Sequence, residues 1–211
     1  NCDEDLLYSD VITNLGSYYD LVEYLPEVTP TYQPNDYATT GGFIDNASAI
    51  KKIDVEHAWD ITKGDPNIKI AIVECCNGFY TAHEDFVNSD GSNQIVYVGP
   101  NVNIAPPSSQ PHGNYVAGIA GAACDNNKGI TGVGFNCKLM LYQGSYNDIL
   151  NASNNGANVI NCSWRSGCSY QQSHQDVIDI ATSNGSVVVV AAANGNLDNT
   201  GCQGGPAIGS G

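Results

Sequence analysis

Three residue types that together could perform acyl transfer stand at separate places in this chain. His112 follows a proline directly, Glu74 closes an apolar run, and Asn196 closely follows another. A carboxylate that orients a histidine, a histidine that accepts a proton and an amide that stabilises an oxyanion are parts of such a site. The chemistry requires a fold that brings the three together.

The stretch 111–124, PHGNYVAGIAGAAC, predicts the helix that holds His112. Gly113, Ala117 and Gly121 are four residues apart and share one face of that helix. A face of small side chains lets the helix lie close against a sheet. This packing must offset the loss of about 1 kcal/mol in helix stability that each glycine causes. A neutral imidazole at a rigid helix start suits a general base. Taken alone, however, a histidine in this place is more often a structural residue.

Apolar runs, of which 68–74 is rich in β-branched residues, alternate with helical segments along the chain, which predicts an α/β fold. We expect a doubly wound, mostly parallel sheet with helices on both faces, and ligand sites at the carboxyl ends of its strands. The absence of a Gly-x-Gly-x-x-Gly or Walker sequence gives nucleotide binding little support. The strand runs are 68–74, 94–98, 138–143, 159–164 and 187–193, and the helical segments are 48–62, 111–124, 146–156 and 174–185.

The composition excludes some classes of function. Only 14% of the residues are charged, yet the formal net charge is −15, which excludes nucleic acid as a natural partner and argues against an anionic membrane surface. No apolar run reaches the roughly 18 residues of a membrane span. The first residues, Asn1 and Cys2, follow no methionine, which favours a removed export signal, and the 8 cysteines suit an oxidising compartment. We therefore expect a secreted protein.

Residues 1–47 differ from the rest of the chain. This segment is acidic, apolar and rich in tyrosine, with mixed periodicity, and three prolines and a TTGG stretch interrupt it. We expect an N-terminal arm, a pro-segment remnant or a small subdomain over 1–47, and the α/β domain over 48–211.

Six segments, in order, resemble the subtilisin-like serine proteases (subtilases). The resemblance covers the N-terminal two-thirds of the family's catalytic domain, so it implies a subtilisin-like fold that is incomplete at its C-terminal side. It also implies that His112 is the catalytic histidine and Glu74 the acid. The segments are DVEHAWDITKGDPNIKIAIVE (54–74), TAHEDF (81–86), HGNYVAGIAGA (112–122), GITGVGFNCKLM (129–140), NGANVINCSW (155–164) and VVVVAAANGN (187–196).

The departures from the family pattern fall at the site. Glu74 replaces an aspartate, and the extra methylene moves the carboxylate by about 1.5 Å against a tolerance of about 0.5 Å. The resemblance places Ser163, Trp164 and Arg165 along the substrate, with Arg165 where the family has a glycine in its primary specificity pocket. The oxyanion asparagine falls on Gly195 without a gap, or on Asn196 after a one-residue slip.

The family's nucleophile motif, Gly-Thr-Ser-Met-Ala-x-Pro, does not occur in the 211 residues. Without it, Ser-His-acid acyl transfer by these residues alone is excluded. Three hypotheses follow: a proteolytically silent domain with a structural, assembly or binding role, which we favour here; a serine endopeptidase whose serine-bearing segment is cleaved off or lies elsewhere; and, less favoured, a carbohydrate-binding or adhesive module.

The resemblance also implies a calcium site. Asp85 matches the family's calcium-binding aspartate, and the loop CDNNKGI (124–130) matches the loop that supplies the other oxygens. Calcium takes six to eight oxygen ligands and accepts carbonyls readily. A polar turn without metal is the alternative. The implied ligands are the side chains of Asp85 and Asn126 and the carbonyls of Cys124, Lys128 and Ile130.

Two further expectations concern cysteines and partners. Cys124 would pair with Cys137, and Cys168 with Cys202, while the adjacent Cys75 and Cys76 would not pair with each other.

The apolar run 187–193 would be an edge strand, which is a template for another chain. The expected partner is therefore protein, either a missing C-terminal segment or another copy of the chain, and exchange between copies could propagate as a filament.

Overall fold

The computed structural model describes residues 30–36, 47–75, 77–164 and 170–191. The chain divides into two compact units, Asn1–Pro30 and Thr31–Gly211, and the description that follows concerns the second. None of the helices in the described ranges has the length and hydropathy of a membrane-spanning segment.

Among the described residues, five parallel strands form one sheet in the order β2-β3-β1-β4-β5, which confirms the predicted fold class. The central strand is β1, which pairs with β3 on one side and β4 on the other. The connection that leaves β1 runs toward β2, whereas the connection that leaves its neighbour β4 runs the opposite way, toward β5. The ends of β1 and β4 therefore form a switch point, where ligands bind in such sheets. The strands are β1 Lys69–Glu74, β2 Ile95–Val98, β3 Lys138–Gln143, β4 Val159–Cys162 and β5 Val187–Val190.

In the part of the chain that the structure describes, five α-helices accompany the strands: α1 Ala47–Lys52, α2 Val55–Ile61, α3 His112–Gly121, α4 Tyr146–Asn154 and α5 Gln172–Ser183. A 3₁₀ turn spans Glu84–Phe86. The sequence predicted a single short helix in 48–62, but two helices occur there. Asp54 separates them in the left-handed region, at φ 58°, a conformation that aspartate tolerates better than most residues.

The helices cover both faces of the sheet, as predicted. On one face α3 packs over β1 and β3, burying Ile72, Leu139 and Leu141 with Ala117 of the helix. On the other face α4 and α5 pack over a second cluster that includes Val73 of β1. Because side chains alternate along each strand, β1 contributes to both clusters.

The described helices cover the α3 side of the sheet only partly at the end where β5 lies. Val188 and Val190 pack into the cluster beneath α4 and α5, so Val187 and Val189 lie on the opposite face. Val187 is 60% exposed and Val189 is 47% exposed. The described helices therefore leave an apolar surface at this end of the sheet.

Residues 31–36 belong to the same compact unit as the sheet, although the sequence grouped them with the N-terminal arm. The Tyr32 ring lies 5.8 Å from that of Phe135, and Lys63 Nζ lies 2.9 Å from the Tyr32 centroid. The Thr31 hydroxyl donates to Asp60 Oδ1 at 2.6 Å. This segment, which we call the strap, is thus held by apolar and polar contacts. The boundary near residue 47 stays a prediction.

Candidate active site

Glu74 and His112 meet at the carboxyl edge of the sheet. Glu74 is the last residue of β1 and His112 the first of α3. The distance from His112 Nδ1 to Glu74 Oε2 is 2.7 Å, within hydrogen-bond range. The Glu74 side chain is fully buried, whereas that of His112 is 53% exposed.

This geometry suits a general base. An ionised carboxylate can only accept hydrogen bonds, so His112 Nδ1 donates to Glu74. The neutral imidazole then carries its lone pair on Nε2, which is the nitrogen that takes a proton from a nucleophile. The extra methylene of Glu74 does not prevent the contact, although the sequence suggested that it would weaken it.

The small face of α3 sets the position of His112. A Cβ at Gly113 would lie 2.7 Å from both the Gly78 carbonyl oxygen and the Phe79 ring. At the other end of the helix, a Cβ at Gly121 would lie 3.1 Å from Leu139. Pro111 precedes the helix at φ −70°, close to the value its ring imposes. The helix therefore approaches the sheet as closely as its glycines permit.

Of the residues expected along the substrate, two are described. The Ser163 hydroxyl accepts a hydrogen bond from Asn161 Nδ2 at 2.9 Å. The Trp164 ring packs edge-on against Tyr146, 5.5 Å away, and is largely buried. Both follow β4 at the same edge of the sheet as Glu74, and their substrate role stays a prediction.

Arg165 and Asn196 lie outside the described residues, as does Gly195. The specificity role of Arg165 and the oxyanion role of Asn196 therefore also stay predictions.

The loop expected to bind calcium surrounds a buried carboxylate. Asp85 is 6% exposed, and its Oδ2 accepts a hydrogen bond from Ile130 N at 3.0 Å. Its Oδ1 is buried without a hydrogen-bond partner in the described structure. Gly129, at φ 54°, passes so close that a Cβ would lie 2.3 Å from the Asp85 carboxyl carbon. An unsatisfied buried oxygen of this kind fits a cation ligand.

A second buried carboxylate, Asp36, was missed by the sequence reasoning. Its Oδ1 accepts a hydrogen bond from the Thr131 hydroxyl at 2.7 Å, and its Oδ2 accepts one from Asn126 N at 3.1 Å. Asp36 lies 90 residues before Asn126, so no local pattern could have linked them.

The electrostatics of this loop also fit a cation. Burial raises the pKa of the Asp85 carboxyl to about 7, the Ile130 N–H opposes that shift and the Asp36 carboxylate adds to it. Two buried acids near each other favour a bound positive charge. The Asn126 side chain donates to Val87 O at 3.1 Å and accepts from Lys128 N at 2.8 Å. The described residues contain no cluster of three His, Cys, Asp or Glu side chains, so carbonyl and amide oxygens would complete the ligand set.

The predicted disulfide between Cys124 and Cys137 is wrong, because both residues are buried free thiols. Cys124 Sγ lies within donor distance of the Ala122 and Gly132 carbonyl oxygens, at 3.6 and 3.4 Å. Cys137 Sγ instead packs at the Gly64 turn. Burial also raises the pKa of the Cys124 thiol, which disfavours the reactive thiolate.

The remaining cysteine predictions are untested. Cys76, Cys168 and Cys202 lie outside the described residues.

Comparison with known proteins points to one family. The model of the subtilase family (peptidase S8) matches residues 43–208. A thermophilic serine proteinase of Bacillus sp. (strain AK1) is 31% identical over 69% of this chain and 37% of its own length. Thermitase of Thermoactinomyces vulgaris is 30% identical over 80% of this chain and 60% of its own length. The solved structure of a Pseudoalteromonas arctica protease has a TM-score of 0.50 and 28% identity, covering 66% of this chain and 53% of that one.

Two further relatives have informative names. A calcium-dependent protease of Trichormus variabilis is 34% identical over 60% of this chain. An extracellular protease of Xanthomonas campestris is 33% identical over 43% of it. The chain spans 19% of the length of each.

The family match, the parallel sheet and the acid–histidine pair at its switch point agree: this chain belongs to the subtilase family.

Proposed function

We propose that this chain supplies the acid and the general base of a secreted, subtilisin-like serine endopeptidase. The 2.7 Å contact between buried Glu74 and half-exposed His112 carries the proposal. A structural role alone gives no reason to bury a carboxylate against a histidine whose other side is open. The serine proteinase relatives support the reaction class.

The reaction proposed for these residues is proton transfer during acyl transfer. His112 Nε2 takes the proton of a serine hydroxyl as its oxygen bonds to the peptide carbonyl carbon. Glu74 holds the imidazole in position and stabilises the imidazolium. His112 then gives the proton to the departing amine, which breaks the peptide C–N bond. The serine must come from residues other than these 211, because they contain no nucleophile motif.

A fluorophosphonate probe tests this proposal. We expect the intact gene product to be labelled, and labelling to be lost in His112→Ala. A folded intact product that takes no label would contradict the proposal. Residues 1–211 alone should neither be labelled nor hydrolyse casein, and turnover by them that His112→Ala abolishes would contradict the need for a further segment.

A structural or binding role is the second candidate, favoured by the exposed apolar surface around Val187 and Val189. Strand β5 is at the edge of the sheet, and an apolar edge pairs readily with another chain. We propose protein as the partner, either the serine-bearing segment or another copy.

We propose calcium as a structural cofactor held by Asp85 and the loop 124–130. The buried Asp85 Oδ1 without a partner and the adjacent Asp36 carboxylate support the site, as does a relative named as a calcium-dependent protease. Asp36, Asp85 and Asn126 would hold the ion with carbonyls of the loop. When bound, calcium would neutralise the two carboxylates and tie the strap to the domain.

We propose that the protein acts outside the cell. Relatives named as extracellular proteases support this location.

A further inference from the structure

The first turn of α3, which carries His112, begins without a side-chain cap. Pro111 occupies the N-cap position and makes no cap hydrogen bond through its side chain. The first four N–H groups of a helix lack the usual partner one turn earlier, and helix ends fray. His112 is the first residue of this turn. The candidate base therefore lies where the helix is held least firmly by its own hydrogen bonds.

A side chain two residues further on connects this turn to another segment. Asn114 Oδ1 accepts a hydrogen bond from Tyr80 N at 2.8 Å, and Asn114 Nδ2 donates one to Tyr80 O at 3.0 Å. We call this pair of hydrogen bonds the clamp. The amide pairs with both backbone groups of one residue, as a neighbouring strand would. Because the amide group is planar, the two bonds fix its orientation as well as its distance.

The segment that receives the clamp is itself held in place. Phe79 is fully buried, and its N–H donates to Asn103 O at 2.9 Å while its carbonyl accepts from Ala105 N at 2.8 Å. On the other side, a Cβ at Gly113 would lie 2.7 Å from the Gly78 carbonyl oxygen. The clamp therefore connects α3 to a stretch of backbone that other contacts already fix.

The clamp and the contact between acid and histidine close a ring. Glu74 ends β1, and the chain reaches Tyr80 six residues later, while Asn114 follows His112 by two. The 2.7 Å contact of His112 Nδ1 with Glu74 Oε2 is one link between the two stretches, and the clamp is the other. A second link restricts the rotation and shift of the turn that a single contact would allow. Such restriction matters because a productive site must be held within about 0.5 Å.

We propose that Asn114 is a positioning residue, which clamps the first turn of α3 to Tyr80 and so holds His112 where its Nδ1 meets Glu74. The proposal rests on the proposed peptidase function, whose base it positions. The Asn114 amide is taken up by the Tyr80 backbone, so its effect on the reaction passes through His112.

Nitrogen-15 NMR of the imidazole tests the proposal on the 211-residue chain without catalysis. Asn114→Ala removes both bonds of the clamp and leaves Glu74 and His112 in place. The ratio of the Nδ1–H to the Nε2–H tautomer of neutral His112 should fall by about fivefold or more, which is the shift that two neutral hydrogen bonds correspond to. An unchanged ratio in folded Asn114→Ala would overturn the proposal.

Asn158→Ala is the matched control. Asn158 Oδ1 accepts from Lys69 N at 2.9 Å, so this change also removes a hydrogen bond between an amide side chain and the backbone, but at the other end of β1. It should lower the melting temperature and leave the His112 tautomer ratio unchanged. Equal tautomer shifts in the two variants would mean that lost stability moves the imidazole, and the clamp would then have no positioning role.

A second variant keeps the test decisive if Asn114→Ala does not fold. Asn114→Asp keeps an acceptor for Tyr80 N but loses the donor to Tyr80 O. A carboxylate in the first turn stabilises a helix, so the helix should remain while the tautomer ratio falls by about twofold or more. A ratio equal to that of the natural chain would contradict the proposal, since half of the clamp would then be dispensable.

Kinetics of the intact gene product separate positioning from substrate binding. Asn114→Ala should lower kcat by about tenfold or more and change KM by less than about twofold, because a displaced base slows the chemical step. Asn158→Ala should keep both constants. A raised KM with the natural kcat would overturn the proposal in favour of a role in substrate binding.

Fluorophosphonate labelling distinguishes the failure of this proposal from that of the proposed function. A labelled intact product whose His112 tautomer does not respond to Asn114→Ala contradicts the positioning role alone. A tautomer shift in an intact product that takes no label contradicts the peptidase function alone.

Discussion

At the scale of single residues, the candidate site consists of a buried carboxylate and a half-exposed imidazole. Glu74 is enclosed at the end of the central strand, and its carboxylate lies 2.7 Å from His112 Nδ1. Burial of an unpaired carboxylate would be costly, so the hydrogen bond to His112 stabilises Glu74 as well as orienting the imidazole. The hydrogen bond thus has a structural role that is independent of the proposed chemistry.

The first prediction concerns the tautomer of His112. In neutral His112 the proton should reside on Nδ1, because Glu74 accepts it. Glu74→Leu, which fills the site without an acceptor, should shift the proton toward Nε2. Nitrogen-15 NMR of the imidazole measures this, with Glu74→Asp as the control that keeps the carboxylate. An unchanged tautomer in Glu74→Leu would show that Glu74 does not set it.

The second prediction concerns calcium. EDTA should lower the melting temperature, because it leaves the buried carboxylates of Asp36 and Asp85 without a counter-charge. Asp85→Ala and Asp36→Ala should each reduce that sensitivity, whereas Asp90→Ala, in an exposed turn, should keep it. Identical melting curves in calcium and EDTA would argue against the site.

At the scale of elements, α3 is placed by glycines that differ in how tightly they pack. A Cβ at Gly113 would lie 2.7 Å from backbone and ring atoms, whereas a Cβ at Gly118 would meet Ile130 Cδ1 at 3.4 Å, which is ordinary contact. The close approach at Gly113 lies next to His112, so tight packing and the position of the base are linked. Gly113, which lies next to His112, is thus the glycine at which a methyl group would not fit.

A matched pair of substitutions tests this difference. Gly113→Ala should destabilise the fold by about 1–3 kcal/mol through overpacking. Gly118→Ala should be neutral or stabilising by up to about 1 kcal/mol, because alanine favours the helix. Urea unfolding at fixed pH measures both. Equal effects of the two changes would mean that close packing does not place α3.

The strap supplies a prediction with a pH dependence. The Thr31 hydroxyl holds the pKa of the Asp60 carboxyl below its ordinary value of 3.8, and the Thr31 N–H assists. A depressed folded pKa means that the stabilisation exists above the unfolded pKa and is lost as pH falls through the folded one. Thr31→Ala should therefore melt slightly lower than the natural chain at pH 6. The effect is small because Asp60 is exposed.

Melting curves at pH 6 and at pH values below about 3.8 check the strap prediction. The difference in melting temperature between the natural chain and Thr31→Ala should shrink at low pH. Thr62→Ala, near the C-terminus of α2, is the control. A difference that grew on acidification would contradict the assignment to Asp60.

At the scale of the whole molecule, the helices cover the two faces of the sheet to different extents. The helices α4 and α5 cover one face, while α3 covers only part of the other, leaving Val187 and Val189 exposed. Both valines belong to an edge strand whose run of four valines contains no charged residue. Such an edge is a site for pairing with another chain.

We expect the 211-residue chain to self-associate through this edge. Light scattering should show oligomers, and Val187→Lys with Val189→Lys should shift the chain toward monomer. The control is Val96→Lys on β2 at the opposite edge, where the valine is 51% exposed. A natural chain that stays monomeric at about 100 µM, well above a micromolar dissociation constant, would rule out the idea.

Local patterns accounted for much of the fold. The apolar runs identified all five strands of the described sheet, and the proline before His112 marked the start of α3. Strand and helix periodicity depend on residues a few positions apart, which a sequence displays directly. The break at Asp54 was missed because a left-handed aspartate has no distinctive local signal.

The sequence by itself determined the elements of this protein and the resemblance that identified its family. Only the tertiary structure decided which distant groups meet: that Glu74 reaches His112 despite its extra methylene, that Asp36 contacts the loop 124–130, and that Cys124 and Cys137 are free thiols. These outcomes depend on differences of an ångström or two between groups up to 90 residues apart. Such distances are set by how helices and strands pack, because close-packed interiors fix each side chain against many neighbours at once.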